Sequence, residues 1–225
     1  MRFALIALAL VASPAAAQDY YGSVFGGSSN ISDPTFSGEI TPPGGQQTIG
    51  TDFDSGFGFG VALGYKLPAL SSGAIGLRAE LELSFTDSDI DNLAFSGNGP
   101  ANEANVDGDI STTRLFANLI ADVETSTRFT PYFGAGLGVS RSSLDLSYGG
   151  QPRAVRLDDS STDLSAQLIV GTSYAINDQV SLFGDARYIR DFGVSTDRTS
   201  PAGLTGNVSD DISTVNVNIG VRFSF

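Results

Sequence analysis

The chain has 225 residues, with 25 acidic and 12 basic side chains and a formal net charge of −13. This acidic balance argues against a nucleic-acid-binding protein, because binding to phosphates rewards basic surfaces. Cysteine and histidine are both absent from the sequence, which excludes disulfides and removes the usual nucleophile–base pairs and transition-metal ligand sets. We therefore predict no catalytic residues, no metal site, no cofactor and no enzymatic activity.

The N-terminal segment has the organisation of a secretory signal peptide. A positively charged start precedes an apolar run at residues 3–12, and Ala15 and Ala17 form a small-residue cleavage motif. The apolar run is too short to cross a bilayer as a helix. We therefore predict a signal peptide over residues 1–17, export of the protein, and one domain over residues 18–225.

Eight later segments alternate large apolar residues with polar residues or glycine, which is the pattern of strands with one apolar and one polar face. In chain order the predicted strands cover residues 19–26, 57–65, 75–85, 114–123, 133–140, 166–174, 180–188 and 215–225. The first is the least clear, because aromatic residues fall on both of its faces. The last is the clearest, because each of its odd-numbered residues is large and apolar, and its length matches the roughly 9–11 residues of a tilted bilayer-spanning strand.

The connections between these strands alternate between long and short. The long ones cover residues 27–54, 87–109, 142–162 and 192–210, and the short ones cover residues 66–73, 124–130 and 175–179. A meander with all of its long loops at one end is typical of outer-membrane barrels, which have short periplasmic turns and long external loops. The predicted fold class is all-β, an eight-stranded antiparallel up-and-down transmembrane β-barrel, monomeric, with four mobile external loops.

Alternation alone does not decide which face of the strands meets lipid, and a soluble lipocalin-like barrel has the same pattern with the faces exchanged. However, side chains just fill the lumen of an eight-stranded barrel, and six large apolar residues per strand facing inward would overfill it. The glycine-rich faces of residues 57–65 and 133–140 suit the interior, where they leave space for the charged side chains of neighbouring strands. We place the apolar face in lipid and keep a soluble periplasmic ligand-binding barrel as a third reading.

The polar face then forms the interior, and its charged residues are balanced, four basic and four acidic. Buried charges are normally paired, so we predict that these side chains interlock and fill the lumen. The predicted network comprises Arg78, Glu80, Glu82, Arg114, Asp122, Asp185, Arg187 and Arg222. The leading alternative is a narrow porin-like channel for small solutes. Carboxylate chemistry at the Glu80–Glu82 pair is a further alternative, against which the structural network is favoured.

Aromatic residues near the strand ends fit the interfacial belts of a membrane barrel. The short-turn end is expected to carry Tyr65, Tyr132, Tyr174, Phe223 and Phe225, and the long-loop end Phe85 and Tyr188. The acidic connection that begins at Asp87 departs from a calcium-binding loop, with asparagine at its sixth and twelfth positions. We expect no defined calcium site there, only a looser attraction of divalent cations or basic partners.

Three motifs in the second half of the sequence are similar to those of a known family. Residues 130–138 read TPYFGAGLG and resemble the TPYxGxGxG strand of small outer-membrane barrels. Residues 167–174 with the following Asn177-Asp178 are similar to the sixth strand and turn of these barrels, and residues 185–188 to the seventh strand. The chain thus resembles the opacity-like and outer-membrane protein A-like eight-stranded barrels, the porin-family β-barrel domain of Gram-negative envelopes.

This resemblance implies an integral protein of the cell outer membrane that contacts outer-membrane lipid and lipopolysaccharide. It also implies that the barrel-assembly machinery reads the terminal aromatic residues, Phe223 and Phe225, during insertion. Members of the group have structural, adhesive or permeability roles. We predict a structural or adhesin-like surface-interaction role through the four external loops, with a surface receptor or divalent cations as partners of the acidic loops.

Overall fold

The structure is a computed structural model that describes the backbone of residues 19–32, 35–40, 45–53, 55–96, 106–148, 155–199 and 205–225. Side chains are described over residues 19–32, 55–88, 110–143, 161–192 and 211–225. The predicted signal peptide, with Ala15 and Ala17, lies outside the described residues. Within the described part of the chain, no helix is long and apolar enough to cross a membrane.

Ten antiparallel strands form one sheet that closes on itself. Their bounds are β1 Tyr20–Ile31, β2 Thr35–Ile40, β3 Gly45–Phe53, β4 Gly56–Lys66, β5 Ile75–Ser96, β6 Val106–Val123, β7 Phe129–Tyr148, β8 Val155–Ala175, β9 Val180–Thr199 and β10 Thr205–Ser224. Each of the eight barrel strands, which are all but β2 and β3, pairs with its two neighbours in an up-and-down order, and the pairing of β5 with β6 completes the ring. The predicted eight-stranded antiparallel barrel is therefore confirmed.

The first and last strands close the barrel. β1 pairs with β10 from Tyr21↔Ser224 to Ile31↔Thr214, and on its other side β1 pairs with β4. Closure matters because an unpaired strand edge exposes backbone polar groups that lipid cannot satisfy. The terminal strand thus pairs with the first predicted strand, as a closed eight-stranded barrel requires.

The predicted long loops differ from the structure, because most of their residues form paired strands. β7 and β8, for example, remain paired from Phe129↔Tyr174 as far as Tyr148↔Val155. Within the first connection, β2 pairs with β3, β3 pairs with β5, and β2 lies beside β10. Strands of about 20 residues exceed the roughly 9–11 residues that cross a bilayer, so the barrel wall continues well beyond the membrane.

The wall has an apolar outer face and a mainly polar inner face, on which Phe116, Ile120 and Ile169 are among the buried apolar residues. In the terminal strand, Ile219 is 76% exposed whereas its neighbour Asn218 is 4% exposed. The same alternation holds in β1, where Tyr20 and Val24 point outward while Tyr21 points inward. The faces are thus as the sequence predicted. In β1, the strand whose prediction was least clear, Tyr20 lies on the outer face and Tyr21 on the inner face.

Interior glycines make room mainly for aromatic rings. A Cβ atom added at Gly60 would collide with the ring of Phe25, and one added at Gly64 would collide with the ring of Tyr21. Gly220 faces the ring of Phe183 in the same way. The predicted purpose of these glycines, space for charged side chains, is therefore only part of their role.

Candidate functional site: the barrel lumen

The lumen is filled by three groups of charged side chains, which we call the lower, middle and upper tiers, from the short-turn end towards the long hairpins. In the lower tier the guanidinium of Arg78 donates from Nε to Asp122 and from Nη1 to Glu80, at 3.0 Å to Oδ2 and Oε2, respectively. Nη1 also donates to Tyr21 Oη at 2.7 Å, and Tyr21 Oη donates to Glu80 at 2.9 Å. One arginine of β5 thus ties together residues of β1, β5 and β6.

Arg222 completes the lower tier without a carboxylate partner among the described residues. Its guanidinium carbon lies 5.0 Å from the ring centroid of Tyr21, 5.4 Å from that of Phe183 and 5.8 Å from that of Tyr132. The negative faces of aromatic rings attract a guanidinium at such distances. Aromatic residues therefore take the place of the acid that sequence reasoning expected beside Arg222.

The middle tier is centred on Glu82, Asp185 and Arg187, each less than 9% exposed. Arg187 forms ion pairs with Glu82 across the lumen and with Asp185 at 2.9 Å, and its guanidinium carbon lies 4.2 Å from the ring centroid of Phe25. The two carboxylates also accept hydrogen bonds from neutral side chains. Asn118 and Gln167 donate to Glu82, and Tyr132 and Asn218 donate to Asp185.

The upper tier joins Arg114 of β6 to Asp191 of β9, with 2.9 Å between Arg114 Nη2 and Asp191 Oδ2. Arg114 Nη1 also donates to the hydroxyl of Thr86 at 3.0 Å, and Ser165 donates to Asp191. Both charged residues are less than 5% exposed. A paired and hydrogen-bonded arrangement of this kind is what buried charges require.

Little open space remains between the lower and middle tiers. The cavity there has a volume of about 10 Å³, which holds roughly one water molecule. Its lining is formed by Ser23, Arg78, Glu80, Ile120, Tyr132, Ile169, Phe183, Asp185, Arg187 and Arg222. A cavity of this size is too small to hold a hydrated solute.

The structure brings seven of the eight predicted charged residues into ion pairs, with Arg222 as the exception. It also adds Asp191, which the sequence prediction missed because the seventh predicted strand ended at residue 188. Asp191 has the same odd parity as Asp185 and Arg187, so extending the alternation by three residues would have found it. Glu80 and Glu82, considered as a catalytic pair, instead have separate basic partners in Arg78 and Arg187.

Tyr132 lies in the lumen, where it is 2% exposed, so its predicted place in the short-turn aromatic belt is wrong. The strand alternation places it on the same face as Gly134 and Gly136, which decides its direction. Phe223 and Phe225, the predicted assembly signal, are 45% and 46% exposed on the outer face. Their role in insertion remains a prediction.

Comparisons with known proteins agree with this architecture. The family model described as outer membrane protein beta-barrel domain matches residues 3–225. The chain belongs to this outer-membrane β-barrel family. The family and its relatives are proteins of the Gram-negative outer membrane, so the predicted localisation in the cell outer membrane is confirmed.

One curated relative is outer membrane protein PagN of Salmonella typhimurium, which is 29% identical over 157 residues. The match covers 65% of this chain and 62% of the relative, so it spans less than two thirds of that protein. Among solved structures, a major outer membrane protein from Thermus thermophilus has a TM-score of 0.57 at 15% identity, covering 92% of this chain and 99% of that chain. OprG from Pseudomonas aeruginosa has a TM-score of 0.54 at 14% identity, covering 92% and 98%. At these identities the structural matches show the β-barrel fold alone.

Family membership leaves the third sequence reading, a soluble periplasmic barrel, without support. The described outer wall carries exposed side chains such as Leu137 at 73% and Ile219 at 76%, which suit lipid and not water. The relatives are outer-membrane barrel proteins, and the absence of enzymatic activity stays a prediction for this chain.

Proposed function

We propose that the chain is a non-conducting outer-membrane barrel with a structural and surface-interaction role, in which the projecting hairpins contact partners outside the cell. The observation that carries the proposal is the filled middle tier. Arg187 reaches from one side of the lumen to Glu82 on the other, and Phe25 lies against its guanidinium. Conduction requires that these side chains move aside together, which breaks buried ion pairs.

The leading alternative, a narrow channel, is favoured by one feature of the upper lumen. The buried hydroxyls of Ser29, Ser88, Ser140 and Thr214 have no hydrogen-bond partner among the described residues. Buried polar groups normally have partners in proteins or ordered water, so water entering this level would satisfy them. The middle tier below still separates such water from the periplasm.

Planar-bilayer conductance separates the two candidates. We expect no stable single-channel current from the purified wild-type barrel. A Phe25→Ala, Arg187→Ala variant removes two side chains that fill the middle tier and serves as the positive control for detection, provided that it keeps the heat-dependent gel mobility of a folded barrel. A large, stable wild-type channel would contradict the proposal.

The surface-interaction role is supported by the charge of the projecting wall. The strand register places Asp89 opposite Asp109, Asp109 opposite Asp145, and Asp145 opposite Asp158, one row across four neighbouring strands. Like charges at directly opposed positions destabilise a sheet unless counter-charges are present. The row supports attraction of basic surface receptors or divalent cations to this part of the wall.

Two variants test this role in cells that display the barrel. A deletion of residues 90–108 makes Asp89 and Asp109 the two central residues of a new turn above the Ser88↔Ile110 pair, and it shortens one hairpin without changing the register below it. A four-site Asp→Asn variant at 89, 109, 145 and 158 keeps the hairpins and removes the charge. We expect both variants to reduce adhesion to host cells at equal surface expression. Unchanged adhesion of both would remove the surface-interaction part of the proposal and leave the structural part.

Insertion and assembly state complete the proposal. The chain inserts through the barrel-assembly machinery with Phe223 and Phe225 as the recognised aromatic residues, and it remains a monomer. A Phe225→Ala variant is expected to accumulate in the periplasm, whereas a variant at Phe129, an exposed aromatic residue at the same end, is not. Analytical ultracentrifugation in detergent checks the monomer.

A further inference from the structure

Two arginines on the outer face of the wall lie at the upper edge of the apolar band. Arg141 of β7 is exposed and follows Val139, which is also exposed on the same face. Arg190 of β9, whose side chain is 48% exposed, lies between the exposed rings of Tyr188 and Phe192. Both positions are thus outward-facing and adjacent to the lipid-facing surface, independently of the contents of the lumen.

The two arginines flank the same strand. Arg141 pairs with Thr162 of β8, and Arg190 pairs with Ala166 of β8, so they stand on either side of this strand. Strands are about 4.8 Å apart, which separates the two backbones by about 10 Å laterally, and the four residues from Thr162 to Ala166 add about 13 Å along the strand. Between them, Leu164 of β8 is 69% exposed. This sector therefore combines two guanidinium groups with exposed apolar side chains.

The sector differs from the rest of the wall at this end. Among the other described outward residues near this end, Asp87 is acidic and Thr113, Asn30 and Phe57 are neutral, and all four are exposed. An arginine beside hydrocarbon is stabilised when an anion accompanies it, and Arg141 forms no ion pair with any described residue. Arg190 pairs with Asp211 at 2.8 Å, but an exposed pair contributes only about 0–1 kcal/mol and does not prevent exchange for a stronger anion.

We propose that Arg141 and Arg190, together with Leu164 and Phe192, form a binding surface for a phosphorylated lipid of the outer leaflet. Guanidinium groups bind phosphate through paired, charge-assisted hydrogen bonds. The apolar side chains contact the acyl chains of the same molecule. An anionic amphiphile provides both kinds of group at this depth, whereas a free anion provides only the first and a neutral lipid only the second. The surface goes beyond the proposed function, because neither conductance nor adhesion depends on it.

The test uses the full folded mature chain in neutral detergent and native mass spectrometry. The probes are lipid A with both phosphates, the same lipid after enzymatic dephosphorylation, and inorganic phosphate. We expect the wild type to bind the phosphorylated lipid about tenfold more tightly than the dephosphorylated one. An Arg141→Gln, Arg190→Gln variant should lose this preference, and Arg128→Gln, which changes an exposed arginine at the opposite end, should keep it.

Circular dichroism and heat-dependent gel mobility establish that each variant is folded. Retention of the preference in the double variant would overturn the proposal, and so would an equal loss in the Arg128→Gln variant. Inorganic phosphate that displaces the lipid completely at equal concentration would also overturn it, because the acyl chains would then contribute nothing. Single Arg141→Gln and Arg190→Gln variants with intermediate preferences would support a shared surface.

Discussion

Glu82 and Arg187 lie 105 residues apart in the chain and form an ion pair across the full width of the barrel. Glu82 is on β5 and Arg187 is on β9, and these strands are four positions apart around the eight-stranded ring in either direction. The pair therefore links opposite walls, whereas backbone hydrogen bonds link only neighbouring strands. We therefore expect the middle tier to brace the barrel in addition to its proposed exclusion of solutes.

Replacing Arg187 by Gln should destabilise the barrel by about 3–5 kcal/mol, because Glu82 and Asp185 then remain buried without their cation. Glu82→Gln should cost less, since Arg187 keeps Asp185. In the double variant the loss should be smaller than the sum of the two, with a coupling free energy of about 0.5–3 kcal/mol. Urea unfolding in lipid vesicles measures all three values.

The exposed Arg190–Asp211 pair provides the matched control for this cycle. Its side chains are 48% and 38% exposed, so its double-mutant cycle should give only about 0–1 kcal/mol. Equal coupling free energies for the two pairs would show that the lumen is hydrated well enough to screen Glu82 and Arg187.

A methyl group at Gly60 should destabilise the barrel by about 1–3 kcal/mol, because the new Cβ would collide with the ring of Phe25. Adding Phe25→Leu should recover part of the loss by removing the ring. Gly22→Ala is the control, since the nearest atom to its Cβ would lie at 3.7 Å. Equal stabilities of the Gly60→Ala and Gly22→Ala variants in urea unfolding would show that the interior is not closely packed.

Arginine at Ile219 should cost about 2–4 kcal/mol, because this 76% exposed side chain lies within the apolar band. Leu81 and Leu119, at 54% and 53% exposure, should give similar losses. Thr113→Arg, near the outer end of the described band, should cost about 0–1 kcal/mol. Folding into vesicles measures this depth dependence, and a uniform cost for all four positions would place the lipid boundary elsewhere.

The barrel and the direction of its faces could be predicted from the sequence because alternation carries both. The alternation of apolar and polar residues from Val215 to Phe225 is regular enough to predict that the segment is a strand, how long the strand is and which of its faces points inward. The projecting strands could not be predicted, since segments such as that around Asp145 contain aspartate, which strands disfavour. Their pairing comes from neighbouring strands that continue upward together, which is a property of the whole sheet and is not encoded in any one segment.

The pairing within the lumen was predictable as a set but not in detail. Charge balance predicted the interlocking residues, but the partner of Arg114 proved to be Asp191, which is only three residues beyond the predicted end of its strand. Arg222 has aromatic neighbours because Tyr21, Tyr132 and Phe183 meet at the lower tier from three different strands. Which residues meet at one level depends on the stagger of all the strands, and alternation within a strand contains no information about stagger.

Tyr132 and Tyr174 offer a direct test of the inner and outer faces, because both lie near the short-turn end. Tyr132 is 2% exposed and donates to Asp185 at 3.1 Å, whereas Tyr174 is 36% exposed on the outer face. Tyr132→Phe should therefore cost about 1.5–3 kcal/mol, the contribution of a hydrogen bond to a charged group. Tyr174→Phe loses no hydrogen bond to a described residue and should change the free energy of unfolding by less than about 0.5 kcal/mol. Urea unfolding in vesicles distinguishes the two variants. A larger loss of stability for Tyr174→Phe than for Tyr132→Phe would mean that the inner and outer faces of β7 and β8 are exchanged.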